Sequence, residues 1–317
     1  MEKEPEKIIE LVHVKKTYRM GNEKIHAVDD VSFTIYKGEF CCLLGTSGSG
    51  KSTLLNLMAG IERTTSGKII IKGKNIPKMN ENQLARFRQK YLGFVFQSYN
   101  LINSMTALEN VEFPLVFKRV RLKKRRKLAK DILCKVGLAN RLSHRPKEMS
   151  GGQQQRVGIA RAFVAKPEIV FADEPTGNLD TKTTIEVMEL IKQMARDNNQ
   201  TIVMVTHDRS LAAYADKIIH ILDGKIQSID VTEHNQEEDM AAQLQSISKQ
   251  ILLERGGETG VPKATEKTAV EEEPQATETT ETAVEEEPQA AETTETEQPE
   301  QEQWDAIDRP KSRRRKE

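Results

Sequence analysis

The stretch GTSGSGKST at residues 45–53 constrains this chain more than any other. It follows the apolar run EFCCLL and opens a segment, KSTLLNLMAG, that reads as a helix. Gly45, Gly50, Lys51 and Ser52 fit the pattern G-x-x-x-x-G-K-[ST] in the strand-then-helix setting it requires. Glycines let backbone N–H groups turn inward around phosphate oxygens, and the helix N-terminus adds its partial positive charge. Thr46, Ser47, Gly48 and Ser49 complete the cradle. Lys51 is expected to reach the β- and γ-phosphates of a nucleotide. The Ser52 hydroxyl, with Thr53 beside it, is expected to ligate Mg²⁺.

A second motif completes the chemistry about 120 residues later. In IVFADE, four apolar residues drive a strand into a sheet and end on Asp173 and Glu174. Asp173 is placed to hold Mg²⁺ through its water shell, and Glu174 is the expected general base for an attacking water. Around these motifs, strands alternate with helices, which predicts an α/β fold with a mainly parallel core sheet. IIELVHVKKTY and AVDDVSFTIY read as strands joined by a turn at Gly21 and Asn22, an antiparallel β subdomain at the N-terminus. A helical block at about 98–164 interrupts the alternation as a subdomain. DKIIHILDGKIQSID reads as two strands around Asp223 and Gly224. The nucleotide-binding domain is thus expected over residues 1–232.

Beyond it the character changes. Met240, Leu244, Ile247 and Ile251 share one helical face, so an amphipathic helix is expected over 233–255. Residues 256–317 are rich in Glu, Thr and Pro, and TAVEEEPQATETTE recurs as TAVEEEPQAAETTE. Such a segment buries too little apolar surface to offset chain ordering and is expected to be disordered. Its acidity hides a basic body. Residues 258–303 hold 15 acidic and 2 basic side chains, and residues 304–317 hold 3 acidic and 6 basic. With a net charge of zero overall, the rest carries about +10. That suits anionic ligands or a membrane surface. The basic run RLKKRRK at 121–127 reads as the solvated face of a helix.

Cys41 and Cys42 lie in an apolar run and read as buried small hydrophobes. With Cys134 they offer neither a disulfide framework nor zinc-ligand spacing. The N-terminus shows no secretory apolar core, and no apolar run approaches the roughly 18–20 residues of a spanning helix. The chain is expected in the cytoplasm, with another chain spanning any membrane at which it works.

The order of further motifs carries a specific likeness. Residues 8–229 closely resemble the nucleotide-binding subunit of ABC transporters. Met149, Ser150, Gly151, Gly152 and Gln153 stand where the family's Leu-Ser-Gly-Gly-Gln signature does, with one apolar exchange. Gln97 in FVFQSYNL resembles the lid glutamine, His207 in VTHD the switch histidine, and Asp180 in GNLD the loop after the acidic pair. Tyr18 in KTYRMG resembles the aromatic that stacks on adenine. The resemblance implies that Gln97 senses metal and water, that His207 contacts the γ-phosphate, and that Ser150, Gly151 and Gly152 bind the γ-phosphate of a second copy. It implies a homodimer in the ATP state.

LLGTSGSGKSTLLNLMAG, NLINSMTALENVEFPL and DEPTGNLDTKT are similar to the branch that handles lipoprotein release and macrolide and antimicrobial-peptide export. In that branch the ATPase drives an integral membrane permease. Localisation is then peripheral, on the inner face of the cell membrane, with membrane contact through the permease. No nucleic acid is expected. The alternative is a regulatory ATPase that moves no substrate and acts through a membrane partner on cell-envelope or division enzymes.

Overall fold

The computed structural model describes residues 5–21 and 23–231. The expected helix at 233–255 and tail at 256–317 lie outside the described residues, as does Asn22 of the first turn.

The chain begins with a long hairpin, β1 (Lys7–Met20) and β2 (Glu23–Tyr36), followed by β3 (Phe40–Leu44) and α1 (Lys51–Met58). Next come β4 (Ser66–Ile71), β5 (Lys74–Asn75), α2 (Glu81–Tyr91) and β6 (Leu92–Phe96). Three helices follow: α3 (Ala107–Phe117), α4 (Leu122–Lys135) and α5 (Gly151–Phe163). The remainder is β7 (Ile169–Asp173), α6 (Thr181–Asp197), β8 (Thr201–Thr206), α7 (Arg209–Ala212), β9 (Lys217–Leu222) and β10 (Lys225–Val231).

Two sheets result. The antiparallel one has the order β2-β1-β4-β5, and the larger has the order β10-β9-β3-β8-β7-β6. In the larger sheet all neighbours run parallel except the β9–β10 hairpin. This is the mixed architecture expected. β4 is the unforeseen part: it pairs with β1, so the segment after the phosphate-loop helix crosses back into the antiparallel sheet.

Strands β3 and β8 are buried along their whole length, as a parallel sheet covered on both faces requires. The two-residue period then assigns alternate side chains to opposite layers. Cys42, Leu44, Val170, Ala172, Ile202 and Met204 pack against Val157 and Ala160 of α5 and Met188 and Ile191 of α6. Cys41, Leu43, Phe171, Val203 and Val205 face Leu54 and Leu57 of α1 and the inner residues of β1 and β2. Both cysteines are fully buried, and burial pushes the Cys42 thiol up to about 12. Parallel pairing also aligns strand ends. Leu44 lies opposite Thr206, Val205 opposite Asp173, and Asp173 opposite Phe96. The loops that follow these four strands therefore emerge at one edge, where open α/β sheets place their ligands.

Candidate functional site

The loop after β3 is shaped by contacts that only glycine permits. A Cβ on Gly45 would lie 2.1 Å from the Ile221 carbonyl oxygen. One on Gly50, which has φ of +96°, would lie 2.1 Å from the Ala27 carbonyl oxygen. The loop is thus pressed between the β9–β10 turn and β2, with Thr46, Ser47 and Gly48 facing solvent. Gly50 caps α1 in the left-handed conformation, and neither a side-chain cap nor an acidic first turn competes for the helix's free N–H groups.

Lys51 is only 4% exposed. Its Nζ donates to the Thr46 carbonyl oxygen at 2.7 Å and to Ser49 Oγ at 3.4 Å. Burial lowers the amine's pKa, while Glu174 and Asp173 nearby pull it back up. The cation therefore lies in reach of the acidic pair at the end of β7.

Ser52 Oγ donates to Asp173 Oδ1 at 3.0 Å, joining α1 to β7. Burial raises the Asp173 pKa and the Ser52 bond opposes the rise. A hydroxyl and a single carboxylate are hard oxygen donors. Among the described residues no group of three or more His, Cys, Asp or Glu could hold an ion by itself. Such a sparse set fits Mg²⁺, which keeps several waters and completes its shell with substrate phosphates.

Glu174 adopts φ of +44°, a region that non-glycine residues seldom enter. Its N–H donates to the Val205 carbonyl oxygen at 3.0 Å, and the Gly177 N–H donates back to its carbonyl at 3.1 Å. These bonds hold the turn that brings its carboxylate to 3.0 Å from His207 Nδ1, on the loop after β8. Strain of this kind concentrates at working sites. Gln97 follows β6 and lies against the same turn: a Cβ on Gly177 would lie 2.7 Å from Gln97 Nε2, and Asn178 Nδ2 donates to the Gln97 carbonyl at 3.1 Å. A cleft of about 320 Å³ opens beside Glu174 and His207, lined also by Thr206, Asp208 and Tyr214.

The signature stretch belongs to a different neighbourhood. Ser150 caps α5, its Oγ accepting from the Gln153 N–H at 3.3 Å while Gln153 Oε1 accepts from the Ser150 N–H at 3.1 Å. Gly151 lies under the Tyr99 hydroxyl and Gly152 under the Thr183 side chain, at 2.8 and 2.7 Å from a hypothetical Cβ. Asp180 caps α6 by accepting from the Thr183 N–H at 3.0 Å. These residues sit together, and the contacts that hold them involve α6 and the loop after Gln97, not the 45–53 cradle. Tyr18 stands beside the start of α1: its hydroxyl donates to Glu62 at 2.5 Å and also bonds Thr53.

Several supporting residues carry no sequence signal. Gln155, fully buried on α5, donates to the Pro175 carbonyl, tying the signature helix to the turn after Glu174. Arg161 donates to the carbonyls of Tyr99 and Asn100 at 2.8 and 2.5 Å and fixes the loop over Gly151. His13 and His220 make surface bonds to Asp30 and Asp230, and His26 to Thr17.

The family profile described as ABC transporter matches residues 28–177. An uncharacterized ABC transporter ATP-binding protein of Thermotoga maritima is 47% identical over 224 residues, which cover 71% of this chain and 95% of the relative. The macrolide export ATP-binding/permease protein MacB of Hyphomonas neptunium is 44% identical over 221 residues, 70% of this chain but only 34% of that protein. Among solved structures, the dimeric, post-hydrolysis state of the ATP-binding cassette MJ0796 bound to ADP and Pi superposes with a TM-score of 0.68. It is 40% identical and covers 71% of this chain and 99% of its own. A glycine-shaped loop, an acidic strand end, a histidine just past the next strand and a Ser-Gly-Gly helix start thus occur together in a chain so closely related to these cassettes: it belongs to the ABC transporter family, as one of its ATP-binding, ATP-hydrolysing subunits.

Proposed function

We propose that two copies of this chain close on two ATP molecules and that the closure and reopening drive a separate integral membrane permease. The observation that carries the reading is the separation of two halves of one site. Lys51, Ser52, Asp173, Glu174 and His207 converge at one sheet edge. Ser150, exposed, and the half-buried Gly151 and Gly152 form a helix start held by other contacts. The first N–H groups of a helix have no partner within it, and Ser150, accepting from Gln153, still has its own O–H to donate. They fit a phosphate offered by a second copy. The dimeric MJ0796 cassettes support this arrangement.

Within one copy, Tyr18 supplies a platform for the base, the 45–53 backbone cradles the phosphates, and Lys51 exchanges the Thr46 carbonyl for phosphate oxygen. Ser52 and Asp173, with Gln97 nearby, would hold Mg²⁺, which supplies charge neutralisation on the phosphates when bound. Glu174 takes the proton of the attacking water, and His207 orients its carboxylate through the 3.0 Å contact. Gln97, leaning on Gly177, reports the state of the 174–178 turn to the segment 98–111, which moves the permease.

The cargo class we infer is a lipoprotein, drug or antimicrobial peptide, exported or extracted from the membrane by a partner that the cassette meets on its inner face. The MacB relatives, named as fused ATP-binding/permease proteins, support it. No helix of the described residues is long and apolar enough to cross a membrane.

Glu174→Gln tests the core of the proposal. With MgATP it is expected to elute as a stable dimer in size exclusion and to lose at least about 100-fold in turnover, the scale of a general base. A monomer with near-normal turnover would overturn it.

A further inference from the structure

We infer that Glu62 is a positioning residue for the nucleotide's base, setting the distance between the base platform and the phosphate cradle through Tyr18. This rests on the reading of Tyr18 given above.

Glu62 lies just past α1, in the loop that leads to β4. Its carboxylate accepts from the Tyr18 hydroxyl at 2.5 Å and from Lys16 Nζ at 3.2 Å. Asn56 of α1 adds a further bond to the same carboxylate, and the Glu62 N–H donates to the Asn56 carbonyl at 3.3 Å. Thr53, the last residue of the cradle motif, also bonds the Tyr18 hydroxyl. Burial raises the Tyr18 pKa and the Glu62 bond adds to it, keeping the phenol a proton donor. Burial opposes ionisation of Glu62, but the hydrogen bonds from Tyr18, Lys16 and Asn56 and the charge of Lys16 together lower its pKa and keep it ionised. The hydrogen bond is therefore charge-assisted and directional.

The surrounding backbone makes this a rigid strut. Lys16 Nζ donates to the Arg63 carbonyl at 2.9 Å, the Thr17 N–H to Thr65 Oγ1 at 3.0 Å, and the Thr65 N–H to the Lys15 carbonyl at 2.8 Å. The end of β1 is thus stitched to the segment that leaves α1, and α1 begins at Lys51. Lys16 Nζ also stands 4.8 Å from the centroid of the Tyr18 ring, covering one face by a cation–π contact. In the proposed arrangement the base stacks on the other face. A tyrosine alone could turn about its χ angles. Anchored at its hydroxyl and covered on one side, the ring offers a single stacking plane at a fixed distance from the phosphate loop. Preorganisation of this kind raises affinity by removing the cost of ordering the ring on binding.

The consequence is selective for the base. Glu62→Ala in the full chain is expected to weaken MgATP binding by about tenfold in calorimetry, a loss of the size expected for one charge-assisted hydrogen bond. KM should rise while kcat holds. Inorganic tripolyphosphate, which has no base, should bind as tightly as to the unaltered chain. Glu62→Gln, which keeps an acceptor for Tyr18, should restore most of the affinity. Tyr18→Phe should show the Glu62→Ala loss for ATP, and the double variant should be no worse than either single one. Equal weakening of ATP and tripolyphosphate by Glu62→Ala would show a structural role and overturn the inference. So would an additive double variant. If Tyr18→Ala weakens ATP while Glu62→Ala does not, the positioning role fails and the platform stands. If Tyr18→Ala leaves ATP binding unchanged, the platform reading fails and the inference falls with it.

Discussion

Asp173 meets two opposed demands. It must be ionised to attract a cation, yet it ends a buried strand, and burial raises its pKa. A folded-state pKa above the unfolded value penalises the ionised fold. The penalty is full above the folded pKa and vanishes below the unfolded value of about 4. Asp173→Asn keeps an oxygen for the 3.0 Å bond from Ser52 and removes the charge. In chelator, without nucleotide, it should raise the melting temperature by about 2 °C near pH 7.5, a small gain because the carboxyl is only partly buried. The gain should fade toward pH 4, and hydrolysis should be lost. A variant that melts lower at pH 7.5 would mean that Asp173 is a stabilising group and that the stated cost is absent. Residues like this were legible in the sequence because contiguous motifs carry them: GKS names Lys51 and Ser52, and ADE names Asp173 and Glu174. Glu62 was not, because it meets Tyr18 across 44 positions and lies in a loop with no periodic pattern. Only the return of the chain from α1 to β1 brings them together.

At the scale of elements, legibility followed burial. The strands β3, β7 and β8 are short apolar runs between polar turns, and helix α6 has buried Val187, Met188, Ile191 and Met194 at helical spacing. The partner of β4 was hidden, since SGKIII reads equally well as a strand of either sheet. Its membership is decided by Ile69 and Ile71 packing with Ile9 and Leu11. α7 spans only Arg209–Ala212, too short to show a period. Helix α5 combines two uses of one residue. Ser150 caps it, so Ser150→Ala should cost about 1 kcal/mol of stability in denaturant unfolding. Aspartate is as good a cap, so Ser150→Asp should keep that stability. Its charge would however face the γ-phosphate of the other copy. In a Glu174→Gln background, Ser150→Asp is expected to bind ATP normally as a monomer and to form no ATP-dependent dimer in size exclusion. Dimerisation at the usual ATP concentration would show that Ser150 serves only its own helix.

For the whole molecule, a site split between two copies makes a stronger claim than either half does. In the Glu174→Gln background, Lys51→Ala removes the cation that reaches phosphate and leaves the helix start at Ser150 untouched. Ser150→Asp does the reverse. Each variant alone gives a pair in which both composite sites are broken, so each should remain monomeric with MgATP. Mixed, they form a heterodimer with one site broken twice and the other intact: the cradle of the Ser150→Asp copy faces the Ser-Gly-Gly turn of the Lys51→Ala copy. The mixture should therefore recover an ATP-dependent dimer that holds one nucleotide, not two, measurable by light scattering with a radiolabelled ATP count. That recovery cannot arise if each chain completes its own site, because mixing two broken sites of that kind repairs neither. A mixture that stays monomeric while both variants are folded would place Ser150 and Lys51 in the same copy and remove the dimer from the mechanism.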